Sequence, residues 1–511
     1  MISKIFCITV NGLESEMIEV EVDINAGLPN FTIVGLPDTS VQESKERLRS
    51  ALKSSNFKLP VSRITVNLAP ADIKKTGPSF DISIAVGILS HTGDITQDTY
   101  LKNSVFLGEL SLDGSVRSVN SILPSVIGAK EKGYKYIFIP YDNFYEASIV
   151  EGIEIIAVKN LAELVSFLNG EKNIQNPEKL HIQSHQNIQN SQYDFKYIIG
   201  QNQAKRALEI AAAGMHNIIM SGPPGSGKTL LAKTFSTILP ELTLDEMIEI
   251  SKIYSISGLL SKDTPLITQR PFRTIHHTAS AISIIGGGRN ARPGEISLAH
   301  KGVLFLDEVL EFPKAVLEVL RQPLEDGNIS VNRVNSSYIY PAKFVLLGAM
   351  NPCPCGYLTD PDKNCICGQE QIKRYRAKLS GPMVDRIDIM IEVPKVKVDD
   401  FTSKSSSKIG ETSQKIALRV KKAREIQLQR FEGLKITSNS QMSSKEIQIF
   451  CILDDESEKM MKQALHTMNL SARAYYRVLK LARTIADLEV SKNVKIQHIA
   501  EALSYRKSSE E

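Results

Sequence analysis

The feature that most limits how this chain can fold is a run of eight residues: Gly222, Pro223, Pro224, Gly225, Ser226, Gly227, Lys228 and Thr229. They fit G-x-x-x-x-G-K-[ST]. In such a loop, glycines let the backbone wrap closely around phosphates with its N–H groups turned inward. The loop works only between a buried strand and a helix. Asn217-Ile-Ile-Met-Ser221 reads as that strand, and Leu230 to Leu239 as that helix, whose amino end adds a favourable dipole. Lys228 then reaches the β- and γ-phosphates, and Thr229 offers its hydroxyl to Mg²⁺. The ligand this predicts is ATP with Mg²⁺; the bland alternative is a glycine-rich turn.

Two downstream strands supply the rest of a hydrolytic site. Gly302-Val-Leu-Phe-Leu-Asp307-Glu308 is four apolar residues running into an acidic pair, which suits a strand buried on both faces of a parallel sheet. Asp307 would orient Mg²⁺ and its waters, and Glu308 would polarise the attacking water as general base. Otherwise the pair simply caps a strand. Phe344-Val-Leu-Leu-Gly-Ala-Met-Asn351 ends likewise, and the Asn351 amide is placed to hold the lytic water, unless it is an ordinary turn residue.

The chain has 511 residues, room for about three domains at ~150 residues each. Its 42% hydrophobic and 23% charged residues are those of an ordinary globular protein, and a net charge of +4 does not by itself indicate nucleic acid. The apolar stretch at the N-terminus is too short for a secretory signal. No apolar run approaches the ~18 residues of a membrane span, so a cytoplasmic location with no membrane partner is expected. Residues 1–168 alternate short strands, such as Ile18 to Ile24 and Tyr136 to Pro140, with helical patterns such as Ser40 to Ser54. Residues 169–193 are polar and read as a linker. Residues 194–395 form the nucleotide core, residues 402–413 a second connector, and residues 415–507 a helical domain. In that last domain Ser443 and Ser471 are N-caps, and Ala474, Val478, Leu481, Ile485 and Leu488 make an apolar stripe.

The motifs are similar to those of the magnesium-chelatase-like AAA+ family, specifically its ComM/YifB branch. The resemblance runs over nearly the whole chain. It rests on Gly200-Gln-x-x-Ala204 before the loop, Arg270-Pro-Phe-Arg273 with His276-His277, and Gly286-Gly-Gly288 with Arg292-Pro-Gly-Glu. It continues through Leu320-Arg-Gln-Pro-Leu-Glu-Asp326, Met350-Asn-Pro-Cys-Pro-Cys-Gly356, Leu379-Ser-Gly-Pro-Met-Val-Asp385-Arg386-Ile-Asp388 and Ser471-Ala-Arg473-Ala. The fold implied is α/β throughout: an N-terminal Lon-protease-like (ribosomal S5 domain 2-like) α/β domain, a central AAA+ P-loop α/β/α domain and a C-terminal helical lid. By resemblance Arg386 is the arginine finger that reaches a neighbour's γ-phosphate. The alternative is a surface salt bridge with Asp385 or Asp388. Arg473 resembles sensor 2, with Arg477 one turn on as runner-up. A finger in trans implies a ring, and the family expectation is a homo-hexamer.

The resemblance also reads Gly77-Pro-Ser79-Phe-Asp81 as the counterpart of the segment that carries the nucleophile in Lon proteases. The matching lysine position falls at about Leu123 or Pro124, and Lys74 and Lys75 are not at the dyad spacing. Ser79 is therefore expected to be structural and the chain not a peptidase.

Cys353-Pro-Cys355 and Cys365-Ile-Cys367 hold four of the six cysteines in an insertion spanning 353–367. Four thiolates from one loop suit a closed structural Zn²⁺ site; the alternative is reduced thiols in a loop. Two basic stretches stand out. Lys415, Arg419, Lys421, Lys422, Arg424 and Arg430 make a positive helix face, whose usual explanation is solvation. Arg270, Arg273, Arg289, Arg292 and Lys301, with His276 and His277, sit in a glycine-rich stretch placed where related motors line a pore.

Together these readings predict an ATP-hydrolysing hexameric AAA+ motor on branched or single-stranded DNA, engaged without regard to base sequence. The ComM resemblance implies branch migration or helicase activity in homologous recombination and natural transformation, with recombination proteins as partners. The rival is a chelatase-type or protein-remodelling AAA+ ATPase acting on a partner protein.

Overall fold

The computed structural model describes residues 2–178, 192–288, 291–333, 336–396, 410–468 and 470–506. Arg289, the stretch Ser403 to Lys408 and most of the polar linker lie outside the described residues. Two compact units emerge. One is Met1–Gln183 with Met247–Ile267; the other is Ser184–Glu246 with Thr268–Glu511. The segment 247–267, read from sequence as part of the nucleotide core, thus groups with the first unit. There the Ser255 hydroxyl donates to the buried Glu146 carboxylate at 2.5 Å. Among the described residues no helix is long and apolar enough to cross a membrane.

The first unit is built on strands β1 (Ser3–Asn11), β2 (Glu14–Asn25), β3 (Asn30–Val34), β4 (Arg63–Ala69) and β5 (Ser104–Phe106). The short pair β6 (Glu109–Leu110) and β7 (Val116–Arg117) follows, then β8 (Tyr136–Pro140) and β9 (Glu154–Val158). Seven of these form one mixed sheet in the order β3-β4-β2-β1-β5-β8-β9. β2 shows the pattern that makes it a half-buried strand, with Ile18, Val20 and Val22 buried at alternate positions. The helix Thr39–Ser54 starts where the Asp38 carboxylate accepts from the Val41 N–H at 2.9 Å. It buries Val41, Leu48, Ala51 and Leu52 on one face. Val41, Leu48 and Leu52, so buried, each stabilise by roughly 1.5–3 kcal/mol.

The helix Asp81–Thr92 is apolar nearly all round, as a helix enclosed in a core must be. A side chain at its Gly87 would meet Val22 at 2.6 Å, so glycine permits the helix to lie against the sheet. Asp81 at its start is fully buried and receives Arg47 at 2.7 Å, the Leu110 N–H at 3.1 Å and the Ser44 hydroxyl. Next to it, the Ser79 carbonyl accepts from the Gly108 N–H at 3.0 Å, while the Lys75 ammonium goes to the Pro70 carbonyl. Leu123 and Pro124 are buried in the helix Ile122–Glu131.

The second unit contains β10 (Ile218–Ser221), β11 (Phe272–Ile275), β12 (Gly286–Gly287), β13 (Arg292–Pro293) and β14 (Val303–Leu306). It continues with β15 (Asn328–Arg333), β16 (Ser336–Pro341), β17 (Val345–Met350) and β18 (Ile389–Glu392). Five strands make a parallel sheet in the order β11-β14-β17-β10-β18. Its register sets Ile218 beside both Leu347 and Ile389. Every strand therefore points the same way, and every loop after a strand gathers at one edge. The helical region shares this unit's core. The helix Ala472–Leu488, capped by the Ser471 hydroxyl, buries Ala474, Val478, Leu481 and Ile485.

Candidate functional site

The carboxyl edge of the parallel sheet collects the residues that the motifs singled out. Gly222 follows β10, and its N–H donates to the Met350 carbonyl at 3.2 Å, which ties the loop to the end of β17 and to Asn351. A side chain at Gly222 would lie 2.2 Å from the Val393 carbonyl oxygen, so only glycine fits there. Gly225 and Gly227 have φ of 77° and 88°, a region that costs other residues, and a Cβ on either would meet nothing within 4 Å. The loop is thus an open cradle whose backbone turns on glycine, followed directly by the helix Lys228–Phe235.

Lys228 turns back onto this cradle. Its ammonium donates to the Gly222 and Pro223 carbonyls at 2.7 and 2.9 Å. Burial lowers its pKa to about 8, opposed by the charges of Asp307 and Glu308. The Thr229 hydroxyl donates to Asp307 at 3.1 Å across the 78 residues that separate them in sequence. Hydroxyl and carboxylate oxygens so placed are the hard donors that Mg²⁺ takes beside phosphate oxygens. Glu308 follows with its side chain half exposed and its backbone left-handed at φ 53°, an uncommon conformation for a non-glycine residue.

The arginines occupy the opposite edge. The Asn217 side chain just before β10 donates to the Arg386 carbonyl, and its backbone N–H to Asp388, both at 3.0 Å. At about 3.3 Å per residue, the four residues of β10 set this edge about 13 Å from the phosphate loop. Arg386 is buried rather than projecting. It forms an ion pair with Glu325 and donates to the Pro382 carbonyl at 2.7 Å. Neither Asp385 nor Asp388 takes it, because Asp388 is held by Arg477 at 2.6 Å. Arg473 reaches the same Glu325 at 3.1 Å. The finger and sensor-2 candidates therefore share one carboxylate, away from their own chain's phosphate loop. Burial lowers the Arg386 pKa, and the nearby Arg473, Arg321 and Arg477 add to the effect. Asp388 is the reverse case. Burial opposes its charge, but Arg477, His216 and Arg506 together hold it far below the usual carboxylate range.

The four cysteine sulfurs converge. Cys353 lies 3.4 Å from Cys355 and 3.7 Å from Cys365, and Cys355 lies 3.6 Å from Cys365. All four sulfurs fall within 4.8 Å of one another. Zinc–sulfur bonds of about 2.3 Å in a tetrahedron make sulfur–sulfur edges of about 3.8 Å, so the residues fit Zn²⁺. Backbone N–H groups of Tyr357 and Ile366 lower the Cys355 thiol to about 6, while desolvation and the neighbouring sulfurs push the Cys365 thiol up to about 12.

In both basic stretches several of the named cations are paired with acids. In the glycine-rich stretch, Arg270 is buried and spent on Glu246 at 2.8 Å and on three backbone carbonyls. Arg273 makes a two-pronged bond to Glu295 at 2.6 and 2.7 Å, and Lys301 faces Glu246 at 3.8 Å. Arg292 is exposed. On the helix Ser413–Arg430, Arg419 pairs with Glu209 and Glu411, Lys421 with Glu241 and Arg430 with Asp487, while Arg424 is buried. A single helix hides such acidic partners because they come from distant segments; Arg419, Lys421 and Arg430 are paired in this way.

Three participants escaped sequence reading. Glu325 lay inside a quoted motif as an ordinary acid. Gly356 gave no signal beyond its place after Cys355. His277, seen only as one of two loop histidines, has its ring 4.2 Å from that of His276 at a tilt of 34° and approaches Glu308.

A parallel sheet with a phosphate loop, an acidic strand end and a polar strand end on one edge defines a P-loop protein of the AAA+ type. Comparison with known proteins sharpens the class. The family described as magnesium chelatase, subunit ChlI, matches residues 194–401; subunit ChlI of Mg-chelatase matches residues 20–143; and the ChlI C-terminal family matches residues 410–506. Competence protein ComM of Haemophilus influenzae is 42% identical over 97% of this chain and 95% of its own length. The YifB protein of Escherichia coli is 40% identical over 97% and 95%. Lon protease 2 of Bacillus subtilis is 32% identical over 30% of this chain and 32% of its own. The chain belongs to the ComM/YifB family of magnesium-chelatase-like AAA+ proteins.

Proposed function

We propose that this protein hydrolyses ATP as a ring, expected to be a homo-hexamer, and uses the energy to move DNA junctions. The observation that carries the ATPase reading is the Thr229–Asp307 pair at 3.1 Å, with Lys228 folded over the same loop. When bound, Mg²⁺ neutralises charge on the β- and γ-phosphates. Lys228 swings from the Gly222 and Pro223 carbonyls onto phosphate oxygens. Glu308 takes the proton of the attacking water, and Asn351, beside the loop, orients that water. Arg386 lies at the far edge of its own sheet, so it suits the phosphates of a neighbouring chain, with Arg473 or Arg477 alongside. Zn²⁺ held by Cys353, Cys355, Cys365 and Cys367 would be structural, since four protein ligands leave no open position.

The DNA reading rests on kinship to a competence protein, which favours branch migration or helicase action in recombination and natural transformation over a chelatase-type role on a partner protein. The N-terminal unit serves assembly or DNA guidance and not peptide cleavage, because the position matching the dyad lysine falls at about Leu123 or Pro124. A cytoplasmic location with no membrane partner, and contact with recombination proteins, follow from that reading. The test is purified protein mixed with forked and four-way DNA junctions plus ATP, beside Lys228→Ala. Strand exchange and DNA-stimulated turnover in the wild type alone are expected. If both are absent while ATP is still hydrolysed, the protein-remodelling reading replaces this one.

A further inference from the structure

The cysteine site is a structural neighbour of all three catalytic segments. Gly356, one residue past Cys355, has φ +84°, and a Cβ added there would stand 2.8 Å from both Cδ and Cγ of Pro224 in the phosphate loop. The Gly356 N–H closes a turn onto the Cys353 carbonyl at 3.0 Å, and Cys353 is two residues from Asn351. Beyond Cys367, the helix Gln369–Arg376 and the residues after it are fastened on either side of the site. Arg376 donates to the Pro352 carbonyl at 3.3 Å, the Tyr375 hydroxyl to Glu311 at 2.9 Å, and Lys378 to the Leu310 carbonyl at 2.7 Å. Leu310 and Glu311 follow Glu308 almost directly.

The cysteine loop thus abuts the phosphate loop through Pro224, leads out of Asn351, and feeds a helix tied to the segment that carries Glu308. Apart from the Lys395 ammonium on Asp362 at 2.7 Å, its hold is slight. The sulfurs are free thiols at 3.4–3.7 Å, far beyond the ~2.05 Å of a disulfide, and Ile366 between two of them is 86% exposed. A loop with so little buried apolar surface depends on metal–ligand bonds for its shape.

From this we infer that a zinc ion on the four cysteines sets the geometry of the nucleotide site. Through Gly356 it braces Pro224, and through Asn351 and the tied helix it fixes the spacing of the phosphate loop against Glu308. Nucleotide affinity is therefore metal-dependent, although no zinc ligand touches nucleotide. The inference rests on the ATP-binding reading above.

The test uses the full chain in three forms: wild type, Cys355→Ser with Cys365→Ser, and Gly356→Ala. Each is assayed for zinc by elemental analysis and for Kd with a fluorescent ATP analogue, with circular dichroism as a check on folding. Wild type should hold about one zinc per chain, as four cysteines make one tetrahedral site. The double cysteine variant should lose the zinc and bind nucleotide about tenfold more weakly, a change of about 1.4 kcal/mol. Gly356→Ala leaves every ligand in place, so it should keep its zinc yet bind nucleotide several-fold more weakly, because the new methyl group meets a rigid proline ring. Zinc-free wild type, or a folded zinc-free variant with wild-type Kd, overturns the inference, as does wild-type Kd in zinc-loaded Gly356→Ala. A wild type that holds zinc but binds no nucleotide overturns the ATP reading instead.

Discussion

Nδ1 of His277 lies 3.4 Å from Oε2 of Glu308. His277 follows β11, the strand beside β14, and leads into the glycine-rich segment of β12 and β13. Glu308 is the proposed base; its backbone is left-handed, and the His277 imidazole lies beside its carboxylate. Removing the imidazole frees the carboxylate to turn toward water. His277→Ala is expected to raise ATP turnover measured without DNA a few-fold, with nucleotide Kd unchanged. Lower turnover in this variant would make His277 a support for Glu308 rather than a restraint. Glu308→Gln should lower turnover by about 10²–10⁴-fold.

Lys228 makes ATP binding pH-dependent. Its lowered pKa, about 8 in the nucleotide-free protein, means the ammonium is fully charged only below that pH. As pH rises through 8 the free protein loses the charge that phosphate recognises, so binding takes up a proton and Kd climbs. Isothermal titration in buffers of different ionisation heat should detect proton uptake at pH 9 and none at pH 6. Lys228→Ala should abolish both the uptake and most of the binding.

Asp388 makes the second unit acid-sensitive. Its carboxyl is depressed in the folded chain, so between its folded pKa and the unfolded value of about 3.9 the unfolded state binds more protons. Its stabilisation is therefore complete above pH 5 and drains away as pH falls below about 4. Asp388→Asn leaves the partly exposed Arg477 without its anion and should cost about 1–3 kcal/mol, seen as a lower urea midpoint. It should also flatten the stability profile on the acid side.

Arg386→Ala separates binding from chemistry. It removes no group from its own chain's phosphate loop, so Kd for nucleotide should stay near wild type. Turnover should fall by about 10³–10⁵-fold, the worth of a finger in trans. Equal turnover in the variant and wild type would return Arg386 to a structural ion pair with Glu325.

What the sequence made legible was local. The phosphate loop shows because strand, glycines and helix are contiguous, and the apolar run into Asp307 shows for the same reason. The helix from Ser471 was readable because cap and stripe both lie within one element. What stayed hidden was pairing across distance. Thr229 meets Asp307, Arg386 meets Glu325 and Arg430 meets Asp487 only after the sheet register and the helix packing are set. Charge runs misled most, since Arg270 and Arg419 look free in sequence and are satisfied by Glu246 and Glu209 in space. The cysteine spacing pointed to a loop that gathers four sulfurs, but not to Gly356 resting on Pro224.

Glu325 holds Arg386 and Arg473 with a single carboxylate. A carboxylate is a passable imitation of a phosphate oxygen, so each chain carries a decoy for the very group its arginines are proposed to meet on a neighbour. On the proposed function, that pairing would keep both cations quenched in a lone molecule. In the proposed ring, a neighbour's phosphate would have to draw both arginines off that acid, Arg386 from a buried position. Silence in dilute solution and activity in the assembled ring would then come from one exchange of counter-ions.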